Sequence, residues 1–149
     1  MKKYELTNEA KVEHGVTLHR IRALVDIERW EIKAGDLGGW IESEANLSQE
    51  HDARVSGKAR VFDEAWVSGE AWVSGEARVS GKARVFGKAR VSGKARVSGE
   101  AQVFGEARVS RTDHVLTVGP VGSRDDTTTF FRVKFSAGFA ISVCCGCFR

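Results

Sequence analysis

The chain holds 149 residues, 42% of them hydrophobic and 29% charged, with a net charge of +3. That is one domain's length, with enough apolar side chain for a packed core. It has no apolar run of eighteen, which excludes a membrane-spanning helix. The opening Met1-Lys2-Lys3-Tyr4-Glu5 lacks the apolar stretch of a secretory signal, so a cytoplasmic protein is expected. Charge is unevenly spread: residues 1–52 carry 7 basic and 11 acidic side chains, residues 53–112 carry 12 and 6, and residues 113–149 carry 4 and 3. A basic middle between an acidic head and a near-neutral tail favours an anionic partner for the middle.

Residues 1–38 differ in texture from the rest of the chain. Val16-Thr17-Leu18-His19-Arg20-Ile21-Arg22-Ala23-Leu24 reads as a strand, and Lys33-Ala34-Gly35-Asp36-Leu37-Gly38-Gly39 as a turn. From 53 to 112 run ten six-residue units without insertion or loss, from Ala53-Arg54-Val55-Ser56-Gly57-Lys58 to Ala107-Arg108-Val109-Ser110-Arg111-Thr112. A fixed short period is the mark of a solenoid. Ala and Val lie two apart with a large polar residue between them, the alternation of a half-buried strand. Gly fills the fifth place in eight units, with Asp63 and Arg111 as exceptions, so each strand ends in a corner needing positive φ.

The sixth position sets the number of units per turn. From Lys58 to Glu106 its charges come in runs of three, and all six pairs eighteen residues apart, such as Lys58/Glu76 and Glu64/Lys82, are opposite in sign. At a separation of six, only three of eight are opposite. Three units per turn would stack opposite charges at the sheet spacing of about 4.8 Å. Gly39-Trp40-Ile41-Glu42-Ser43-Glu44 and Ala45-Asn46-Leu47-Ser48-Gln49-Glu50 read as two degenerate earlier units, after which His51-Asp52 shifts the phase by two residues.

A solenoid needs both ends covered. Residues 1–38 are therefore expected to form an N-terminal cap, 39–112 the coil, and 113–149 a small C-terminal β cap with strands over 115–121, 127–135 and 140–148 and a turn at Gly122-Ser123-Arg124-Asp125-Asp126. The expected class is all-β.

The units, with Val, then Gly two places on and Ala four places on, resemble the hexapeptide repeats of left-handed parallel β-helices. The resemblance implies the left hand and a triangular coil of eighteen residues. The flanks narrow it. Thr17-Leu18-His19-Arg20-Ile21-Arg22-Ala23, Gly35-Asp36-Leu37-Gly38-Gly39-Trp40-Ile41 and Leu47-Ser48 are similar to segments of small phage- and prophage-encoded hexapeptide-repeat proteins of the "polymer-forming" type. So are Val118-Gly119-Pro120-Val121-Gly122-Ser123-Arg124-Asp125 and Cys145-Gly146-Cys147-Phe148. The resemblance implies an accessory binding protein acting on a host factor, defence proteins included, and a homo-oligomer, trimer or dimer.

Enzymatic readings find little support in these residues. Hexapeptide-repeat acyltransferases, the competing class, place a catalytic His by a loop leaving the coil, and a general base must reach its substrate's nucleophile. Here no loop or His falls within 53–112; His51 and His114 flank it, and His14 and His19 lie in the cap. A related carbonic anhydrase class needs three His ligands for its metal. Cys144, Cys145 and Cys147 have the wrong spacing for a four-ligand zinc site and read as packing residues. No catalytic residue, metal site or cofactor is expected.

Binding candidates come from stacking the outward residues by eighteen. One column is Arg60, Arg78 and Arg96; a second is Arg54, Trp72, Arg90 and Arg108; a third is Trp66, Arg84 and Gln102. Phe86 and Phe104 replace Ser on the side of the third. The six arginines of the first two columns are the candidates for an anion or nucleic acid, through phosphate contact and base stacking. Trp66, Arg84, Phe86 and Phe104, with Trp72, are the candidates for a protein interface, with a host protein or a second copy. Solvated arginines paired with Glu or lying on Trp are the alternative to a site.

Overall fold

The computed structural model describes residues 1–121, 126–135 and 138–145. A long hairpin opens the chain, with β1 (Tyr4–Glu13) antiparallel to β2 (Val16–Ala23), and β3 (Leu37–Ile41) pairs antiparallel with β2. The hexads then supply ten two-residue strands. They are β4 (Arg54–Val55), β5 (Arg60–Val61), β6 (Trp66–Val67), β7 (Trp72–Val73), β8 (Arg78–Val79), β9 (Arg84–Val85), β10 (Arg90–Val91), β11 (Arg96–Val97), β12 (Gln102–Val103) and β13 (Arg108–Val109). Last come β14 (Val115–Val121), β15 (Asp126–Phe135) and β16 (Gly138–Cys145), an antiparallel sheet.

Every third hexad strand pairs in parallel, giving three faces. Face 1 continues the cap sheet in the order β1-β2-β3-β5-β8-β11; face 2 is β13-β10-β7-β4; face 3 is β12-β9-β6. Register is eighteen residues throughout the hexads: Arg54 lies on Trp72, Trp72 on Arg90, and Arg90 on Arg108. The earlier units are offset by twenty, Trp40 on Arg60 and Leu47 on Val67, because His51-Asp52 adds two residues to that turn of the coil. The chain is thus an all-β solenoid of stacked parallel coils, as the eighteen-residue pattern requires.

The core is the inward Ala and Val of each hexad, from Ala53 to Val109, all at most 1% exposed. Corners stack as strands do: Lys58 N donates to Gly75 O at 2.9 Å, and Glu76 N to Gly93 O at 2.8 Å. All eight repeat glycines have φ between +61° and +66°, and Asp63 takes the same corner at +57°. Arg111, the other exception, has φ −138°, and there the coil ends in a short 3-10 helix over Thr112–His114.

Both ends are sealed. At the head, Tyr4, Ile21, Ile27, Ile32 and Leu47 close the core, and Gln49 stands in for a strand partner. Its Oε1 accepts from Lys3 N and Tyr4 N at 2.8 and 3.0 Å, and its Nε2 donates to Tyr4 O at 3.1 Å. At the tail, Phe131 and Val133 of β15 enter the core, Ala107 bridges Val133, and Gln102 N donates to Thr129 Oγ1 at 3.0 Å. Strands run over 115–121, 126–135 and 138–145 where 115–121, 127–135 and 140–148 are expected; Asp126 of the expected turn opens β15, and the rest of that turn, 122–125, and the 146–148 end of the last strand with Cys147 lie outside the described residues. Among the described residues no helix is long and apolar enough to cross a membrane.

Candidate binding surface

The stacked charges at the corners form rings. Glu64, Glu70 and Glu76 occupy the three corners of residues 63–80; Lys82, Lys88 and Lys94 occupy those of residues 81–98; Glu100 and Glu106 come next. Of the six opposite-sign stacks, Lys58–Glu76 at 3.8 Å is the salt bridge among the described residues. Glu70 instead reaches Arg29 at 2.6 Å, because the N-terminal cap folds over that corner.

Residues 81–98 stand out. This full turn carries Lys82, Arg84, Lys88, Arg90, Lys94 and Arg96, two per side, and no carboxylate. All six side chains are exposed. Among the described residues none of the six is in a salt bridge. The sixth-position lysines and the second-position arginines come level here because each hexad spends one corner and one face, so a run of three Lys hexads closes a ring.

The Arg60, Arg78, Arg96 ladder does form on face 1, in register. Its first two rungs are neutralised from the cap. Glu13, at the end of β1, lies 2.5 Å from Arg60 Nη1 and 3.8 Å from Arg78 Nη2, and also pairs with Lys11 at 3.0 Å. Partial burial pushes the Glu13 carboxyl up, but hydrogen bonds from Lys11 and Arg60, with their charges, outweigh it and hold the group below its usual value. Arg78 also lies over the Phe62 ring at 5.5 Å. Arg96 remains open, and with Arg60, Glu76, Arg78 and Lys94 it lines a cleft of about 200 Å³.

On face 2 the Arg54, Trp72, Arg90, Arg108 column is built into a cap contact. Trp30 lies against Trp72, and Arg90 lies over both rings at 5.6 and 5.5 Å. Arg54 lies over Trp72 at 5.3 Å and donates to Trp30 O at 3.2 Å. Burial pushes the Arg54 guanidinium below its usual pKa; burial and then the charge of Arg90 do the same to Arg108, whose Nη1 is buried without an acceptor among the described residues.

Face 3 is divided. Phe86 and Phe104 stack at 5.0 Å and 11°, as the spacing implies, but Phe104 also meets Phe131 edge-on at 5.3 Å and belongs to the tail seal. Trp66 is 40% exposed, with Arg84 over it at 5.9 Å. Of the five interface candidates, Trp66, Arg84 and Phe86 thus face outward, whereas Trp72 and Phe104 are engaged by the caps. Sequence reasoning did not single out Glu13 or Trp30, whose contacts with the coil depend on the path of the cap. Among the described residues, Ser110 Oγ lies 3.3 Å from His114 Nδ1. His114 Nε2 faces Arg132 Nη1 at 3.1 Å, where a Ser-His pair would want a carboxylate.

Neither the protein-family models nor the curated proteins give a match to this chain.

Proposed function

We propose that this is a non-catalytic binding protein that docks an acidic surface of a partner protein against residues 81–98, chiefly on face 1. The observation that carries the reading is the ring of six exposed cations without a carboxylate. Burying such a ring against a neutral surface is unfavourable, and an array of carboxylates both satisfies it and steers association. On face 1 the free cations are Lys94 and Arg96, beside the cleft that Arg78 and Arg60 floor.

A nucleic acid is the second reading, because the same cations suit phosphates. Single-strand binding also uses open aromatic platforms. Trp40 is covered by Lys11 at 4.4 Å, Phe62 by Arg78, and Trp72 by Trp30 and two arginines, so Trp66 alone of these aromatics is open. The geometry therefore favours the acidic protein. The resemblance to phage-encoded hexapeptide-repeat proteins supports a host protein as that partner, in the cytoplasm, with a defence factor among the candidates.

The test is affinity capture from nuclease-treated host lysate with the parent chain and with Lys94→Glu/Arg96→Glu. One protein retained by the parent, eluted by salt and absent from the variant supports the reading. Nucleic acid recovered from untreated lysate, with no protein surviving nuclease, overturns it in favour of the second.

A further inference from the structure

We propose that face 3 pairs with face 3 of a second copy running antiparallel, so that Trp66 of each lies on Arg84 of the other. This goes beyond the partner reading and uses a different face.

The N-terminal cap leaves β6 and β9 of face 3 uncovered, while β15 meets the β12 end of that face through Thr129 and Phe131. The hairpin end reaches over face 1 through Glu13, and Trp30 lies on face 2. Trp66, Arg84 and Gln102, the outward residues of face 3, are all exposed. An exposed tryptophan beside an arginine is the composition of an interface centre.

The corner rings decide the orientation. Copies related by rotation about an axis along the coil stay level with each other. Level copies set the cations of residues 81–98 against their own kind, and Glu64 and Glu70 against Glu64 and Glu70. Like charges at one height repel, which counts against a parallel dimer or a parallel trimer. Turning one copy end for end, with the two-fold between β6 and β9, offsets the rings by one turn, about 4.8 Å. Glu64 then meets Lys82 of the second copy, and Trp66 meets Arg84 of the second copy. Two-fold symmetry makes each contact twice. Glu64 and Lys82 are exposed, and among the described residues neither is in a salt bridge. The same operation brings Glu44 level with Glu100, but Lys2 holds Glu44 at 2.5 Å and Glu100 accepts from the Thr127 hydroxyl at 3.0 Å. Glu50 and Glu106 also come level; both are exposed and remain in water at the rim.

Molar mass in solution tests this at low salt, with exposed-site variants that leave the core intact. The parent is expected to approach twice its monomer mass with rising concentration and to dissociate with salt. Glu64→Lys alone and Lys82→Glu alone each carry one sign on both facing corners, and each should weaken the dimer at least tenfold. Mixed one to one, they should form a heterodimer. Orientation is read separately, by oxidising Trp66→Cys chains with Arg84→Cys chains in a background with Ser at 144, 145 and 147. Cross-linking between the two kinds supports the antiparallel pair, and cross-linking of Trp66→Cys with itself overturns it. A parent that stays monomeric at high concentration and low salt also overturns it. Lys94→Glu/Arg96→Glu should still dimerise, so loss of partner capture and loss of self-pairing are read apart.

Discussion

Trp30 of the N-terminal cap lies on Trp72 of the coil, ring centroids 5.1 Å apart and planes inclined by 45°. Each indole N–H is also spent: Trp30 Nε1 donates to Asp52 O at 2.7 Å and Trp72 Nε1 to Ser56 Oγ at 2.8 Å. The pair fastens the cap to face 2 and removes an aromatic that would otherwise be open. Truncating either ring to Ala should cost about 3 kcal/mol. Together they should show a coupling of about 1 kcal/mol in a double-mutant cycle of denaturant unfolding.

The corners should tolerate substitution unequally. Gly75 and Gly99 share a φ of +65°, but a Cβ on Gly75 would sit 3.0 Å from Gly93 N, whereas one on Gly99 meets nothing within 4 Å. Gly99→Ala should cost about 1 kcal/mol for its left-handed backbone alone. Gly75→Ala should cost distinctly more, because the stacked corner is backbone and yields little. Urea unfolding of the two variants gives the difference.

Asn46 is 1% exposed and holds the first turn of the coil in place. Its Nδ2 donates to Asp63 O and Ala65 O, both at 2.9 Å, and its Oδ1 accepts from Ser43 N at 2.8 Å. Asn46→Ala should lower stability by about 3 kcal/mol, since it leaves those groups unpaired. Asn46→Asp should also destabilise, because a carboxylate cannot donate to two carbonyls. Thermal unfolding checks both.

Tyr4, the single tyrosine, donates to Ala53 O at 3.0 Å from a buried site. Burial raises its pKa to about 12. The folded state therefore keeps a proton that the unfolded chain loses near pH 10. That contribution to stability is full below pH 10 and should be lost as pH rises toward 12. The tyrosinate absorbance band should rise late in the native protein and near pH 10 in denaturant. Tyr4→Phe should flatten the alkaline loss of stability.

The coil was legible because its signals are local and repeated. Ala59 and Val61 each do what the same place does in every hexad, Gly69 does what its place does in all but the last, and the Lys/Glu runs point to eighteen residues. That pattern mattered less as pairing than as rings, since of its stacks Lys58–Glu76 is the described salt bridge. The cap was harder to read. Tyr4–Glu13 alternates poorly across an irregularity between Leu6 and Ala10, and its turn uses His14 at φ +51° with Gly15. Contacts such as Glu13 to Arg60, 47 residues apart, depend on where the hairpin runs. So the arginine ladder was readable as a column, but its neutralised rungs and its open end at Arg96 were not.

Residues 81–98 are proposed to take an acidic protein surface through Lys94 and Arg96. Fluorescence anisotropy with a labelled poly-glutamate peptide, run beside an oligo-dT of equal charge, decides this. The peptide should bind more tightly than the oligonucleotide, weaken with salt, and lose at least tenfold in affinity to Lys94→Glu/Arg96→Glu. Tighter binding of oligo-dT, or peptide binding unchanged in that variant, would contradict it.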